Sequence, residues 1–203
     1  MCSRLRTVLS LLCLYGSEIS SDDHYTPPEF CRDAKCPRYE LLETHEEYEL
    51  RAYVSTNWVI TGMNKTMERE SISSSFICLA RYTRGLNSKG MKMEMAVPVV
   101  IFIPLKEESI FPPSMAFFLP PDLDAPQPSD SKLKFLILPE VQLYVRSFGG
   151  YAEPDDVSQN IQTLSNALVT HNKSFDTSFS GFNIYDSPHE VFDRHNEVFF
   201  VAG

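Results

Sequence analysis

The stretch GMKMEMAVPVVIFIP, residues 90–104, has an apolar residue at every odd position. Successive side chains of a strand point to opposite faces, so this alternation predicts one extended strand with a continuous apolar face. The even positions are charged at Lys92 and Glu94 and mostly apolar afterwards, which predicts that the strand begins half exposed and ends buried on both sides. Pro98 has no N–H group to donate to a ladder, so we expect an edge, a bulge or a ligand-facing break there.

Three methionines, Met91, Met93 and Met95, alternate at the start of this stretch. Soft sulfur ligands favour Cu(I), which makes a copper site one alternative. Residues two apart on one face of a strand are about 6.8 Å apart at the backbone, however, so three sulfurs would have to converge on one ion. Because methionine fills irregular apolar space well, we expect these side chains to form a buried face of the strand.

The composition is that of one acidic globular domain. The chain has 203 residues, 27 of them acidic and 18 basic, and a formal charge of −9. This length supports a single sizeable core. Because the basic residues form no cluster, the charge disfavours nucleic acid and anionic membranes as partners. The chain also has no G-x-S-x-G elbow, phosphate loop, dinucleotide-binding glycines or H-E-x-x-H helix, so we expect a non-enzymatic protein.

The first residues have the order of a secretory signal. Two arginines precede a short apolar run over residues 7–15, and small and polar residues follow. We therefore expect a signal peptide at residues 1–17, an irregular leader at 18–36 and the folded domain at 37–203. The expected location is outside the cell or in the lumen of the secretory pathway, with the cytoplasm as the alternative. No later segment is long and apolar enough to span a bilayer.

Two cysteines and two asparagines fit a secretory route. Cys31 and Cys36 enclose four residues and could close a small loop in an oxidising compartment, so we predict a disulfide between them. N-linked glycans are permitted at the sequons that begin at Asn64 and Asn172. Chance occurrence of these common tripeptides is the alternative.

Periodicity and turn signals divide the rest of the chain into two helices and several short strands. The first helix lies within residues 68–85 and places Ile72, Phe76 and Leu79 on one face, and the second begins near Pro154. Strands are predicted at residues 39–44, 48–53, 57–63, 115–119, 133–138, 141–148, 182–185 and 197–201, besides the opening stretch. The order strands, helix, strands occurs twice. This order predicts an α+β fold in which two similar halves close a sheet into a barrel.

Several separated segments together resemble the SOUL family of haem-binding proteins. These segments are residues 48–53 (YELRAY), 58–59 (WV), 85–90 (GLNSKG), 93–99 (MEMAVPV), 148–151 (FGGY), 185–188 (YDSP) and 194–198 (RHNEV). The resemblance implies a distorted antiparallel β-barrel with two flanking helices and an internal two-fold repeat of βαββ type. Members of the family bind haem and other tetrapyrroles in an open apolar groove between the first helix and a loop near the C-terminus.

The resemblance also implies which residues of this chain line such a groove. The candidates are Met63, Met67, Ile72, Phe76 and Leu79 as apolar contacts, Arg69 and Arg194 for a ligand carboxylate, and His189 and His195 in the C-terminal loop. Two positions differ from the family. Ala52 stands where some members have a histidine proposed as the iron ligand, and Ala96 stands where threonine is usual. Axial ligation through position 52 is therefore impossible, which leaves apolar contact with carboxylate pairing, or ligation by His189 or His195.

We therefore expect a non-enzymatic, secreted module that holds a porphyrin in a shallow groove. One alternative is an interaction or structural protein that kept the barrel and lost the ligand, which Ala52 and a glycan at Asn64 beside the groove would favour. Another is a hydrolase, because similar duplicated barrels in bacterial small-molecule-binding proteins include a few. That activity needs an acid or tyrosine facing a cavity, and Glu49 and Tyr53 are the nearest candidates. No feature of the sequence identifies a protein partner.

Overall fold

The computed structural model describes residues 25–203, which form nine strands and two α-helices. In chain order these are β1 (Tyr39–Thr44), β2 (Glu49–Tyr53), β3 (Thr56–Gly62), α1 (Arg69–Thr83), β4 (Val99–Pro104), β5 (Ser114–Leu119), β6 (Leu133–Leu138), β7 (Val141–Phe148), α2 (Pro154–Thr170), β8 (Phe179–Ile184) and β9 (Asn196–Val201). The predicted signal peptide lies outside the described residues. No helix within the described part is long and apolar enough to cross a bilayer.

The strands form one antiparallel sheet with an internal two-fold repeat. Its order is β1-β2-β7-β9-β8-β4-β5-β3-β6, and the central pair is β8 with β4. The unit β3-α1-β4-β5 on one side of this pair repeats as β7-α2-β8-β9 on the other. The strand before each unit is exchanged, since β2 pairs with β7 and β6 pairs with β3. The predicted α+β barrel with two flanking helices and a βαββ-type repeat is confirmed.

The curled sheet has two apolar faces that we call the helix face and the inner face. On the helix face α1 packs against β3 and β5, and α2 packs against β7 and β9. In β4, Ile101 belongs to this face, whereas Val100 and Phe102 belong to the inner face. Both faces are buried along residues 99–103, as the sequence predicts. Such double burial explains why β4 is apolar at every position.

The methionine stretch before β4 is not a strand. β4 begins only at Val99, so the prediction of one strand from Met91 onward is wrong. The N–H group of Met93 donates to the carbonyl of Thr83 at the end of α1, at 2.8 Å. The stretch therefore bonds to a helix end and not to a neighbouring strand, and alternation alone does not reveal this.

The three methionines line an open groove instead of a buried face. The groove has a volume of about 580 Å³, and its other walls come from the leader at residues 33–35 and the loop at residues 120–123. Met95 is exposed and Met93 packs on the edge of the core. These side chains are therefore a flexible apolar rim between the leader and the barrel.

The leader packs on the inner-face side of the barrel, at the loop between β8 and β9. Cys31 and Cys36 form a disulfide, and Cys31 is buried. The Phe30 ring stacks on the His195 ring, with centroids 3.9 Å apart. Nε of Arg32 donates to the Asp186 carboxylate at 2.9 Å. Residues 30–36 therefore pack on the loop between β8 and β9.

Candidate functional site

Three candidate residues form a row along one flank of α1. Arg69, Ile72 and Phe76 are spaced by three and four residues, so their side chains lie above one another on the helix surface. The Phe76 ring contacts the Phe117 ring of β5 edge-on, with centroids 5.3 Å apart. Cys78, on the opposite flank, points to Asp130 next to β6. The row therefore faces the middle of the helix face, between the two helices.

The candidates differ in exposure: some are buried beneath the groove and others are accessible at its surface. Met63 and Leu79 are only 8% and 0% exposed and belong to the core, so they support a groove from below and offer little surface to a ligand. Met67, Ile72 and Phe76 are partly exposed. The Arg69 guanidinium is exposed and makes no hydrogen bond or ion pair to any residue between 25 and 203. It is therefore free to bind an anion.

Arg194, a candidate for a ligand carboxylate, makes its contacts within its own loop and with Tyr151. Its Nη1 donates to the carbonyl oxygens of Ser187 and Glu190, at 2.6 and 2.9 Å. Its guanidinium also lies over the Tyr151 ring, 4.5 Å from the centroid. These contacts close the loop between β8 and β9 on itself, so Arg194 holds the loop in shape. His189 is exposed in the same loop, and its ring has no partner among the residues described.

His195 lies on the inner face and not beside α1. Its Nε2 is 2.8 Å from Oε1 of Glu197, and its ring stacks on Phe30. Glu197 and Phe199 follow it at two-residue intervals in β9, and all three side chains project to the inner face. The sequence could not reveal this, because His195 precedes the strand that fixes its direction.

Strand register places the candidates at two ends of the sheet. One row across the sheet consists of Gly62, Ser114, Phe102, Gly181 and Phe199. Met63 lies one residue beyond this row, and His195 lies four residues from it in the opposite direction. At 3.3 Å per residue, the two are about 16 Å apart along the strands and also four strands apart across the sheet. The structure does not bring Met63 and His195 into one groove.

Position 52 is also remote from α1. Ala52 lies two residues from Leu50 in β2 and therefore projects to the same face, and Leu50 belongs to the helix-face core. β2 is five strands from β5, which carries α1. A histidine at this position would therefore lie on the α2 side of the sheet.

A buried ion pair occupies the inner face between β2 and β9. Nη1 of Arg51 donates to Oε1 of Glu197 at 2.7 Å, and the two side chains are 2% and 0% exposed. Nε of Arg51 donates to Glu49 at 2.7 Å, at the edge of the cluster. Burial favours the neutral form of Arg51, but Glu197 together with Tyr53 and Tyr39 outweighs burial, so the pKa of Arg51 is raised.

Glu197 is the centre of this cluster. Its second oxygen accepts hydrogen bonds from the Tyr185 hydroxyl at 2.8 Å and the Asn183 amide at 3.2 Å. Burial raises the pKa of Glu197, but the hydrogen bonds and charges of His195 and Arg51 outweigh burial and hold it at about 2. The carboxylate is therefore ionised and fully satisfied. Arg51 and Glu197 both lie in the family segments quoted above, but the sequence did not predict that they pair across 146 residues.

The remaining predicted positions lie at the surface. Asn64, between β3 and α1, and Asn172, just after α2, are both exposed. Asn172 has a φ of 53° and is followed by a hydrogen bond from the Lys173 N–H to the Leu168 carbonyl, so it ends α2 in a Schellman turn. Among residues 25–203, no group of three or more His, Cys, Asp and Glu side chains could hold a metal ion.

Comparison with known proteins gives the same family as the sequence segments. A family model described as "SOUL heme-binding protein" matches residues 34–201. "Heme-binding protein 2" of Mus musculus is 29% identical over 161 residues, which are 76% of this chain and 77% of that protein. "Heme-binding protein 1" of Bos taurus is 28% identical over 158 residues, which are 76% of this chain and 82% of that protein.

Solved structures of low sequence identity share the fold. The C-terminal domain of EcmrR superimposes with a TM-score of 0.53 at 10% identity, over 81% of this chain and 98% of that one. A hydrolase encoded by lin2189 from Listeria innocua gives a TM-score of 0.50 at 9% identity, over 77% and 92% of the two chains. These similarities concern the fold alone.

Proposed function

Because the chain belongs to the SOUL heme-binding protein family, we propose that it binds haem or another tetrapyrrole non-covalently and without catalysis, on the helix face beside α1. The observation that carries this proposal is the row of Arg69, Ile72 and Phe76. It joins a free cation to partly exposed apolar side chains, which is the combination that a porphyrin with carboxylate side chains requires.

In the proposed mode the porphyrin ring contacts Met67, Ile72 and Phe76, and Arg69 pairs with a propionate. No axial ligand is part of it, since His195 is engaged by Glu197 and position 52 is alanine. Iron-free protoporphyrin IX is therefore expected to bind nearly as tightly as haemin. His189 is the one loop histidine with a free ring among the described residues, which makes it the remaining candidate for an axial ligand. Because the proposed mode has no axial ligand, His189→Ala should leave the haemin spectrum unchanged.

Titration with haemin tests the proposal directly. A saturable change in the Soret band is expected for the folded protein. Phe76→Ala should weaken the affinity about tenfold, which is a loss of about 1.4 kcal/mol. Arg69→Gln should weaken it only a few-fold, because the cation is exposed to solvent. Ile77→Ala is the matched control, since Ile77 is the next residue on the helix, is 49% exposed and lies off the row.

Thermal unfolding of each variant separates a lost contact from a lost fold. A Phe76→Ala protein that unfolds at nearly the temperature of the Ile77→Ala protein, yet binds haemin less tightly, supports the site. An unchanged Soret spectrum on addition of haemin to the unglycosylated wild type would remove the proposal.

We also propose that the protein is secreted and glycosylated. The Cys31–Cys36 disulfide and the exposure of both sequons support an oxidising, glycosylating route. Expression in a secreting eukaryotic cell should yield protein in the medium whose mass falls on treatment with an N-glycosidase. Retention of unmodified protein in the cytoplasm would contradict the secretory proposal.

A second candidate function is an interaction protein that has lost the ligand. It is favoured by Asn64, which is exposed next to Met63 at the start of the α1 groove, where a glycan would shield the row. If glycosylated wild-type protein fails to bind haemin and Asn64→Gln restores binding, the groove is intact but covered. Failure of both proteins to bind would favour the interaction function.

A further inference from the structure

The inner face carries a partly open cavity that the proposed porphyrin site does not use. Its volume is about 250 Å³, and it lies inside the curl of the sheet. The lining comes from both halves of the repeat, including Trp58, Val100 and Phe102 of one half and Leu143, Phe179 and Phe199 of the other. The helices pack on the opposite face, so the sheet itself separates this cavity from the α1 row.

The walls of the cavity are almost entirely apolar and rich in aromatic rings. Phe111 stacks face to face on Phe102, with centroids 4.2 Å apart, and also meets Phe179 at 5.0 Å. Apolar cavities bind small apolar molecules, and an enclosed one of about 150 Å³ suffices to bind benzene. A cavity of about 250 Å³ is therefore large enough for a molecule with two fused rings.

One wall of the cavity carries a hydrogen-bond donor without an acceptor. The Tyr53 hydroxyl accepts a hydrogen bond from Nη1 of Arg51 at 3.2 Å, but its own O–H has no acceptor among residues 25–203. Burial raises the pKa of Tyr53, so the phenol keeps its proton. The Trp58 N–H, by contrast, donates to Thr56, and the Tyr185 hydroxyl donates to Glu197.

The carboxylates in and behind the lining disfavour an anionic ligand. Both oxygens of the Glu197 carboxylate already accept two hydrogen bonds each, from Arg51 and His195 and from Tyr185 and Asn183. The lining also includes the Asp176 carboxylate, so an anionic ligand would be desolvated beside a like charge, which is strongly unfavourable. We propose that the inner cavity is a second ligand site, which takes a small, neutral, two-ring aromatic molecule whose carbonyl oxygen accepts the Tyr53 O–H.

Trp58 makes occupancy of this cavity directly measurable. It is the only tryptophan in the chain and it lines the cavity, so its fluorescence reports on a bound ring. Titration with 2-acetylnaphthalene and with 2-ethylnaphthalene compares ligands of the same shape that differ in the carbonyl oxygen. Both should quench Trp58 saturably, and the ketone should bind about fivefold more tightly, as expected for one hydrogen bond. Absence of saturable quenching by either compound overturns the proposal.

Two variants and one competition test the assignment. Tyr53→Phe should bind both naphthalenes with equal affinity, whereas a retained preference for the ketone would exclude Tyr53 as the donor. Val100→Phe should fill the cavity and abolish quenching by both compounds, and thermal unfolding of that variant shows whether it folds.

Haemin at saturation should leave ketone binding unchanged. Displacement of the ketone by haemin would show one shared site and overturn the proposal.

Discussion

The two faces of the same sheet carry different chemistry. The helix face is covered by α1 and α2, and it carries the exposed cation Arg69 next to the apolar row of Ile72 and Phe76. The inner face contains a buried charge pair, Arg51 with Glu197, beside an apolar cavity. In β9 a shift of one residue separates Glu197 of one face from Val198 of the other. Strand alternation therefore keeps the proposed porphyrin site apart from the charged cluster.

Because of this difference, we expect residues of the inner face to determine stability and residues of the α1 row to determine haemin binding. The charge pair lies in the inner face, where it is fully satisfied and out of reach of a ligand on α1. The α1 row lies at the surface, where truncation changes contacts with a ligand more than the core. Variants of the inner face should therefore change the free energy of unfolding, and variants of the row should change haemin affinity.

Removal of the buried carboxylate should have the largest effect. Glu197→Ala leaves the Arg51 charge buried with only Glu49 nearby, so we expect a loss of about 3 to 5 kcal/mol in the free energy of unfolding, measured in urea. Glu49→Gln is the matched control. Because the Glu49 side chain is 34% exposed, its loss should cost less than about 1 kcal/mol. Equal losses in the two variants would contradict a dominant buried pair.

Acid should weaken the same pair. The pKa of Glu197 is about 2 in the folded state against an ordinary value of 4.5, so its contribution is complete above pH 4.5 and is lost as pH falls toward 2. The full contribution is about 3 kcal/mol for a shift of this size. Urea unfolding at several pH values should show this decline in the wild type. A Glu197→Gln protein with an equally steep decline would assign the pH dependence to other carboxylates.

Loss of the leader disulfide should have an intermediate effect on stability. Replacing both Cys31 and Cys36 by serine removes a short closed loop, and we expect a loss of about 2 kcal/mol in the free energy of unfolding. Dithiothreitol should lower the stability of the wild type to that of the double variant and leave the variant unchanged. Because the loop packs on His195 at the inner face, haemin affinity should not change. A parallel loss of haemin affinity would couple the two faces.

The smallest change in the free energy of unfolding is expected at the end of α1. Gly85 has a φ of 109°, and a β-carbon there would meet the Gly90 carbonyl oxygen at 3.2 Å. Gly85→Ala should therefore cost about 1 kcal/mol in unfolding free energy. Asn172→Gly, at the equivalent end of α2, should change stability by only a few tenths of a kcal/mol. A Gly85→Ala protein as stable as the wild type would show that this helix end tolerates rearrangement.

Much of the fold could be predicted, because most elements are defined by local periodicity. The strands at residues 39–44, 133–138 and 141–148 have the predicted bounds, and the duplication was visible in the element order. The methionine stretch was misinterpreted because its hydrogen bonds go to the end of α1, which no alternation encodes. Helix periodicity was sufficient to find the row of Ile72 and Phe76.

The inner-face cluster could not be predicted in the same way. Arg51 and Glu197 meet only because the exchanged strand β2 pairs with β7 of the other half, next to β9. That pairing depends on the strand order of the whole sheet, and the two residues are 146 positions apart in the chain. The family resemblance implied a place for His195 in the α1 groove, but the direction of its side chain depends on the register of β9.

The most direct test of the central claim is to locate bound haemin by its paramagnetism. In amide spectra of the isotope-labelled protein, substoichiometric haemin should broaden the signals of residues 67–80 first. Diamagnetic protoporphyrin IX is the control for chemical-shift changes that binding causes without paramagnetism. Signals of Tyr53 and Val100 on the inner face should broaden later. Strongest broadening at Tyr53 and Val100, with α1 unaffected, would contradict a porphyrin site on the helix face.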